Sequence, residues 1–232
     1  MSTAFTTARI TGLWYLGLAL SGLAGSLFLQ PRLIADDPAT SLARLQAEPA
    51  TAAWVVVLGL IAVLTQALAA VWFARLFASV DRWAANTIAA FGLVNAVMML
   101  TGTAMHGVAA TIALHPQGSA ADAVFLLYLI NSHLWLTASM FFGLWLIPMG
   151  VCVLRSGTMP RVLGQLLVVG GALYVVVPFV AYLVPGSAWA ADVLALPATV
   201  GELWIVGYLL VRGGRMEFAS GAPATTIPGA TS

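Results

Sequence analysis

The chain has 232 residues, of which 61% are hydrophobic and only 7% charged, with a net charge of +1. A water-soluble domain carries about 25% charged residues, so this chain cannot cover a water-facing surface and lipid must be its main solvent. The near-neutral balance excludes nucleic acid as a partner, since that calls for a basic patch. The basic residues are all arginine, a weak compositional hint of a high-GC bacterial genome.

Taken in order, the apolar runs are Ile10–Leu29, Ala52–Phe77, Asn86–Leu114, Ala123–Leu154, Val162–Val184 and Val193–Val211. A helix of about 20 apolar residues crosses a bilayer, and each run is long enough. Backbone groups in hydrocarbon need internal partners, and period-2 alternation is absent, so the runs are expected to be helices and not barrel strands. The predicted fold is all-α: a polytopic bundle of six transmembrane helices, forming one domain over residues 1–212. Residues 213–232, rich in Ala, Gly, Thr, Pro and Ser, are expected to be a disordered cytoplasmic tail.

The first run follows Arg9 but exceeds a signal-peptide core, lacks an A-x-A site and precedes further spans, so it reads as an uncleaved first helix. Its Gly17, Ser21 and Gly25 repeat every four residues and suggest close helix packing, as does Gly170-Gly171 in the fifth run. The fourth run is too long for an upright span and should tilt or extend into the interface, with Pro148 a candidate kink. Between the first two runs, Asp37-Pro38 reads as a cap and first turn. A short external helix is expected there on the membrane surface, with Leu42 and Leu45 on one face and Arg44 and Glu48 towards water. The remaining loops are too short for a soluble catalytic domain.

Arginine sets the orientation. With the N-terminus inside, Arg9, Arg75, Arg82, Arg155, Arg161, Arg212 and Arg215 are cytoplasmic, and only Arg32 and Arg44 lie outside. That bias predicts a multi-pass plasma-membrane protein with both termini in the cytoplasm. Trp14, Trp54, Trp83 and Trp189 lie near span ends, as an aromatic belt would place them. The one cysteine, Cys152, falls among apolar neighbours and reads as packing.

The polar residues inside the runs carry the functional argument. Glu202 sits within Val193–Val211, where a charged carboxylate costs roughly 2.5–3.5 kcal/mol on insertion scales. It must be neutral, paired or part of a site. His133 reaches a similar depth of about 15 Å, and His106 about 10 Å. Asn95, Met99, Gly102 and His106 share one helix face; His133, Thr137 and Met140 share another, and both stripes are expected to face the bundle. Gln66 and Tyr174 are further inward candidates. The ligand or proton-site candidates are therefore Glu202, His106, His133, Asn95 and Gln66. His106, His133 and Glu202 also form the ligand set a divalent metal would use, although no HExxH motif supports it. Arg155 and Arg161 flank a tight turn and are candidates for lipid headgroup contact. Asn131 and Ser132 read as interhelical hydrogen-bonding groups.

Three stretches, ARITGLWYLGLALSGLAG, FFGLWLIPMGVCVLRSGTMPRVLGQLL and PATVGELW, resemble in order a bacterial membrane family catalogued only as a domain of unknown function with six spans. The resemblance runs from about Arg9 to Arg212. Its most specific parts place Arg155, Ser156, Gly157, Pro160, Arg161, Gly201 and Glu202 on the family pattern. It implies an all-helical inner-membrane protein and no particular activity or cofactor. Three function classes fit: binding or transport of a small or lipidic molecule at a midplane polar site, an intramembrane enzyme with or without a metal, and a scaffold subunit. The first is favoured. The partners expected are the lipid bilayer and a small-molecule or lipid ligand; the oligomeric state is open.

Overall fold

The computed structural model describes residues 3–213, and these are helical almost throughout. Helix α1 spans Thr3–Leu23, passes into a π-helical segment at Ala24–Leu29 and ends in α2, Gln30–Leu33. There follow α3 (Pro38–Ala47), α4 (Pro49–Phe77), α5 (Arg82–Leu114), α6 (Ala120–Ser156), α7 (Arg161–Leu183) and α8 (Ala188–Arg212). Six helical stretches are long and apolar enough to cross a membrane, and each coincides with one of the six apolar runs. The protein is an integral membrane protein.

Local chemistry sets the helix ends. Asp37 accepts the Thr40 N–H at the start of α3, with Pro38 in its first turn. Asp81 caps α5 through the Ala84 N–H, which starts that helix four residues before its apolar run begins. Helix α6 ends at Gly157, whose φ of 64° is left-handed and suits glycine. Its 37 residues extend roughly 55 Å, far beyond a hydrocarbon core of about 30 Å. It stays helical through the buried Pro148.

The long helices form a ring. Helix α1 packs on α4, α4 on α5, α5 on α6, α6 on α7, α7 on α8, and α8 back on α1. Small residues allow the closest approaches. A Cβ on Gly143 would overlap the Gly171 carbonyl, and one on Gly170 would overlap the Ala198 backbone. Gly170-Gly171 thus packs as its sequence suggests. On α1 the small-residue stripe is divided. Gly17 presses on Thr65, but Ser21 and Gly25 border a cavity, and a Cβ on Gly25 would meet only Leu58 at an ordinary 3.8 Å.

Two cores fill the two ends of the ring. The first gathers Tyr15, Phe73, Phe77, Trp145, Met149, Leu163, Ile205 and Leu209 at the end holding the α4–α5 and α6–α7 turns. There Arg155 pairs with Asp81, and the Tyr208 hydroxyl donates to the Thr158 carbonyl at 2.6 Å. The second core joins Leu33, Leu45, Ala52, Val55, Ala113, Val124 and Tyr128 under α3. Helix α3 forms where expected, but it turns Leu45 onto the bundle end, and Gln46 Nε2 donates to the Ala113 carbonyl at 3.2 Å. Arg44 donates to the Ile34 carbonyl at 2.8 Å, so this arginine fastens the loop. Trp54, Trp83 and Trp189 are exposed, as belt residues would be, whereas Trp14 packs against the first core. Cys152 is buried and free. The expected tail, residues 213–232, lies beyond the described residues except for Gly213.

Candidate functional site

Between the two cores lies a cavity of about 480 Å³. Its walls come from α1 and the π-helical segment, α4, α5, α6 and α8, and they are mainly aliphatic, aromatic or glycine. Drug-sized ligand sites occupy about 300–1,000 Å³ and combine apolar walls with a few placed polar groups. The cavity has both properties. Its titratable groups are Glu202, Tyr15 and His106.

Glu202 and Tyr15 form the floor. The Tyr15 hydroxyl donates to Glu202 Oε1 at 2.5 Å, linking the first and last helices of the ring. Aromatic edges hold the phenol in place: Tyr15 meets Phe73 at 5.2 Å and Trp145 at 5.6 Å between ring centroids, both near perpendicular. Such edge-to-face pairs are worth about 0.5–1.5 kcal/mol beyond their buried area. Trp145 reaches this position because Gly92 has no side chain; a Cβ there would come within 2.6 Å of the indole. One carboxylate oxygen is thus occupied. Glu202 Oε2 has no protein partner among the described residues, and no arginine lines the cavity.

His106 stands one helical stripe away, towards the α3 end. Asn131 Nδ2 of α6 donates to His106 Nε2 at 3.2 Å. Gly102, one turn earlier on α5, makes room for this partner: a Cβ there would sit 2.6 Å from Asn131 Oδ1 and 3.5 Å from Trp135 Nε1. Met99, Gly102 and His106 therefore face the cavity as a stripe, as the α5 spacing predicts.

The other candidates separate. Asn95 and Gln66 are inward and fully buried, but neither forms part of the cavity wall. Gln66 Nε2 donates to the Gly92 carbonyl at 3.1 Å, while Gln66 Oε1 and both polar atoms of Asn95 have no hydrogen-bond partner among the described residues. Gln66 reaches Gly92 from α4, and Asn95 lies about one turn beyond Gly92 on α5. His133 departs from expectation. With Thr137 it faces outwards over a shallow depression lined by Leu129, Ile130 and Leu134, and its Nδ1 hydrogen-bonds with the Tyr182 hydroxyl of α7 at 2.9 Å. The reason is rotational: Asn131 and Ala138 occupy the buried face of α6, and His133 lies off that stripe. Among the described residues no three His, Cys, Asp or Glu side chains gather as metal ligands would. His106, His133 and Glu202 are therefore not brought together. Arg155 is engaged by Asp81, and Arg161 begins α7 exposed.

Sequence reasoning missed Tyr15. Its signal was a polar-tipped aromatic on the same face of α1 as Leu18, Ala19 and Gly22, all of which border the cavity. The π-helical turn left no comparable trace. It contributes Gly25 and Ser26 to the wall, and π-turns occur often at functional sites.

Fold and site together define a polytopic helical membrane protein with an intramembrane cavity closed at its floor by a carboxyl–phenol bond. The chain belongs to the family described as "Domain of unknown function (DUF4386)", which matches residues 10–213. No curated protein and no solved structure matches it.

Proposed function

We propose that the protein binds, or carries across the membrane, a small or lipidic molecule held in the cavity above Glu202. The observation that carries this reading is the single acidic side chain, with one oxygen uncommitted, at the floor of an otherwise apolar chamber. An intramembrane carboxyl is costly unless it serves a site. The arginine asymmetry supports insertion in a bacterial plasma membrane with the Arg9, Arg155 and Arg212 end in the cytoplasm, which puts the α3 cap outside.

The test is thermal unfolding of the purified protein against a panel of amphiphiles. A ligand that binds the folded state alone raises stability by about 2.7 kcal/mol at 100 times its Kd. A saturable rise, lost when the cavity is filled, is expected. A scaffold role draws on the same hydrogen bond, because it joins α1 to α8 and closes the ring. The two readings part at Glu202→Gln. The amide oxygen still accepts from Tyr15, so a scaffold keeps its phenotype, whereas a binding protein changes its ligand response.

A further inference from the structure

We propose that the guest is a lipid-soluble amine, a single-chain amphiphile with a cationic head, and that it reaches Glu202 sideways from the bilayer. This rests on the cavity-binding reading and adds the chemistry of the head and the direction of approach.

The opening follows from how α1 and α8 meet. They touch at the end holding the first core: a Cβ on Gly12 would lie 3.0 Å from Leu209, and one on Gly213 would lie 2.9 Å from Ala8. The Tyr15–Glu202 bond is further along the same seam. Past it, α1 leans on α4 and leaves α8, so that Gly22 has open space where its Cβ would be and Gly25 meets only Leu58 of α4. Around this depth Leu23 (45%), Trp135 (41%) and Leu203 (58%), from three helices, both line the cavity and are exposed, as do the smaller Ser26 and Thr199. Leu203 and Trp135 lie roughly 22 Å along their helices from the α3 end, and Leu23 roughly 15 Å. These depths fall inside a hydrocarbon core of about 30 Å. The large exposed side chains around them, Leu20, Leu27, Leu196 and Val200, are apolar as well, and the Ser26 and Thr199 hydroxyls bond back to their own helices. The cavity thus opens on the flank of the bundle, where lipid is the solvent.

The head is set by what the cavity offers. Among the described residues Glu202 Oε2 is an acceptor without a protein donor, and no arginine lines the walls to balance an ionised carboxylate. A buried charge needs a partner. A guest ammonium supplies both the missing positive charge and the donor, while its chain lies along the walls built from Leu18, Leu58, Ala62 and Phe142. A fatty carboxylate would meet repulsion, and an alcohol would gain only a neutral hydrogen bond.

The experiment uses the full chain in nanodiscs of zwitterionic phosphatidylcholine, with three probes: 12-bromododecylamine, 12-bromododecanol and 12-bromododecanoate. Bromine quenching of tryptophan fluorescence is read as the part lost in Trp135→Phe, and concentrations are corrected for partitioning into empty nanodiscs. The expected result is saturable quenching, with the amine at least about tenfold tighter than the carboxylate in the unmodified protein, and that preference abolished in Glu202→Gln. The comparison of probes in the unmodified protein needs no variant, so it stands even if Glu202→Gln folds poorly. Equal saturable binding of amine, alcohol and carboxylate would overturn the amine head and leave cavity binding intact. Absence of saturable Trp135-dependent quenching by any probe would overturn both the lateral route and the cavity-binding reading.

Discussion

The Tyr15 hydroxyl and the Glu202 carboxyl, 187 residues apart in sequence, share a 2.5 Å hydrogen bond that ties the first helix of the ring to the last. Tyr15→Phe removes the hydrogen bond that Glu202 makes among the described residues and should lower stability by about 1–2 kcal/mol, the upper range for interhelical hydrogen bonds in membranes. Glu202→Gln keeps an acceptor and should cost less. Thermal unfolding of both variants in one detergent checks the order. A larger loss in Glu202→Gln would mean that the charge, and not the bond, holds the seam.

Glycine substitutions should divide by location. Gly143→Ala would drive a methyl into the Gly171 carbonyl across α6 and α7, a contact between two backbones that cannot yield cheaply. A loss of about 1–3 kcal/mol is expected from overpacking. Gly22→Ala meets nothing within 4 Å and should gain up to about 1 kcal/mol from helix propensity. Parallel melting curves decide it.

Much of this arrangement was legible in the sequence. The six runs, the Asp37 and Pro38 start of α3, the close packing at Gly170-Gly171 and the inward α5 stripe all follow from hydropathy, capping and spacing. The relation between helices was not. His106 and His133 look alike as lone imidazoles in apolar runs, but the rotation of α6 turns one partner stripe, Asn131, towards α5 and leaves His133 outside with Tyr182. That rotation is set by packing of Gly143 and Gly150 against α7, which hydropathy does not encode. Tyr15 was hidden for a related reason: only the ring closure brings α1 to α8.

The placement of the histidines gives a third prediction. His133→Ala should leave amphiphile binding unchanged, because the ring lies at a separate surface depression. His106→Ala, which removes a cavity wall group and frees Asn131, should alter it. Titrating one probe against both variants distinguishes them; equal loss in both would mean that His133 reaches the cavity in the membrane.

Acid should act at the helix caps. The Ala84 N–H, with the Arg155 guanidinium adding to it, holds the Asp81 carboxyl below the usual carboxylate range, and the Thr40 N–H does the same for Asp37. A carboxyl lowered on folding stabilises the protein fully above its unfolded pKa of about 3.9. That contribution is lost as pH falls through the lower, folded value. The melting temperature should therefore drop below about pH 4, and Asp81→Asn should flatten that drop. An acid response identical in Asp81→Asn would place the sensitivity elsewhere.

The most direct test of the central claim is native mass spectrometry on protein released from its own membranes, comparing the unmodified chain with Gly22→Phe. Gly22 borders the cavity and nothing lies within 4 Å of where its Cβ would be, so a ring there should obstruct the chamber. The account predicts a co-purifying small amphiphile on the unmodified protein, absent from Gly22→Phe while the variant stays folded. A bound mass retained in Gly22→Phe, or no bound mass on either protein, would contradict it.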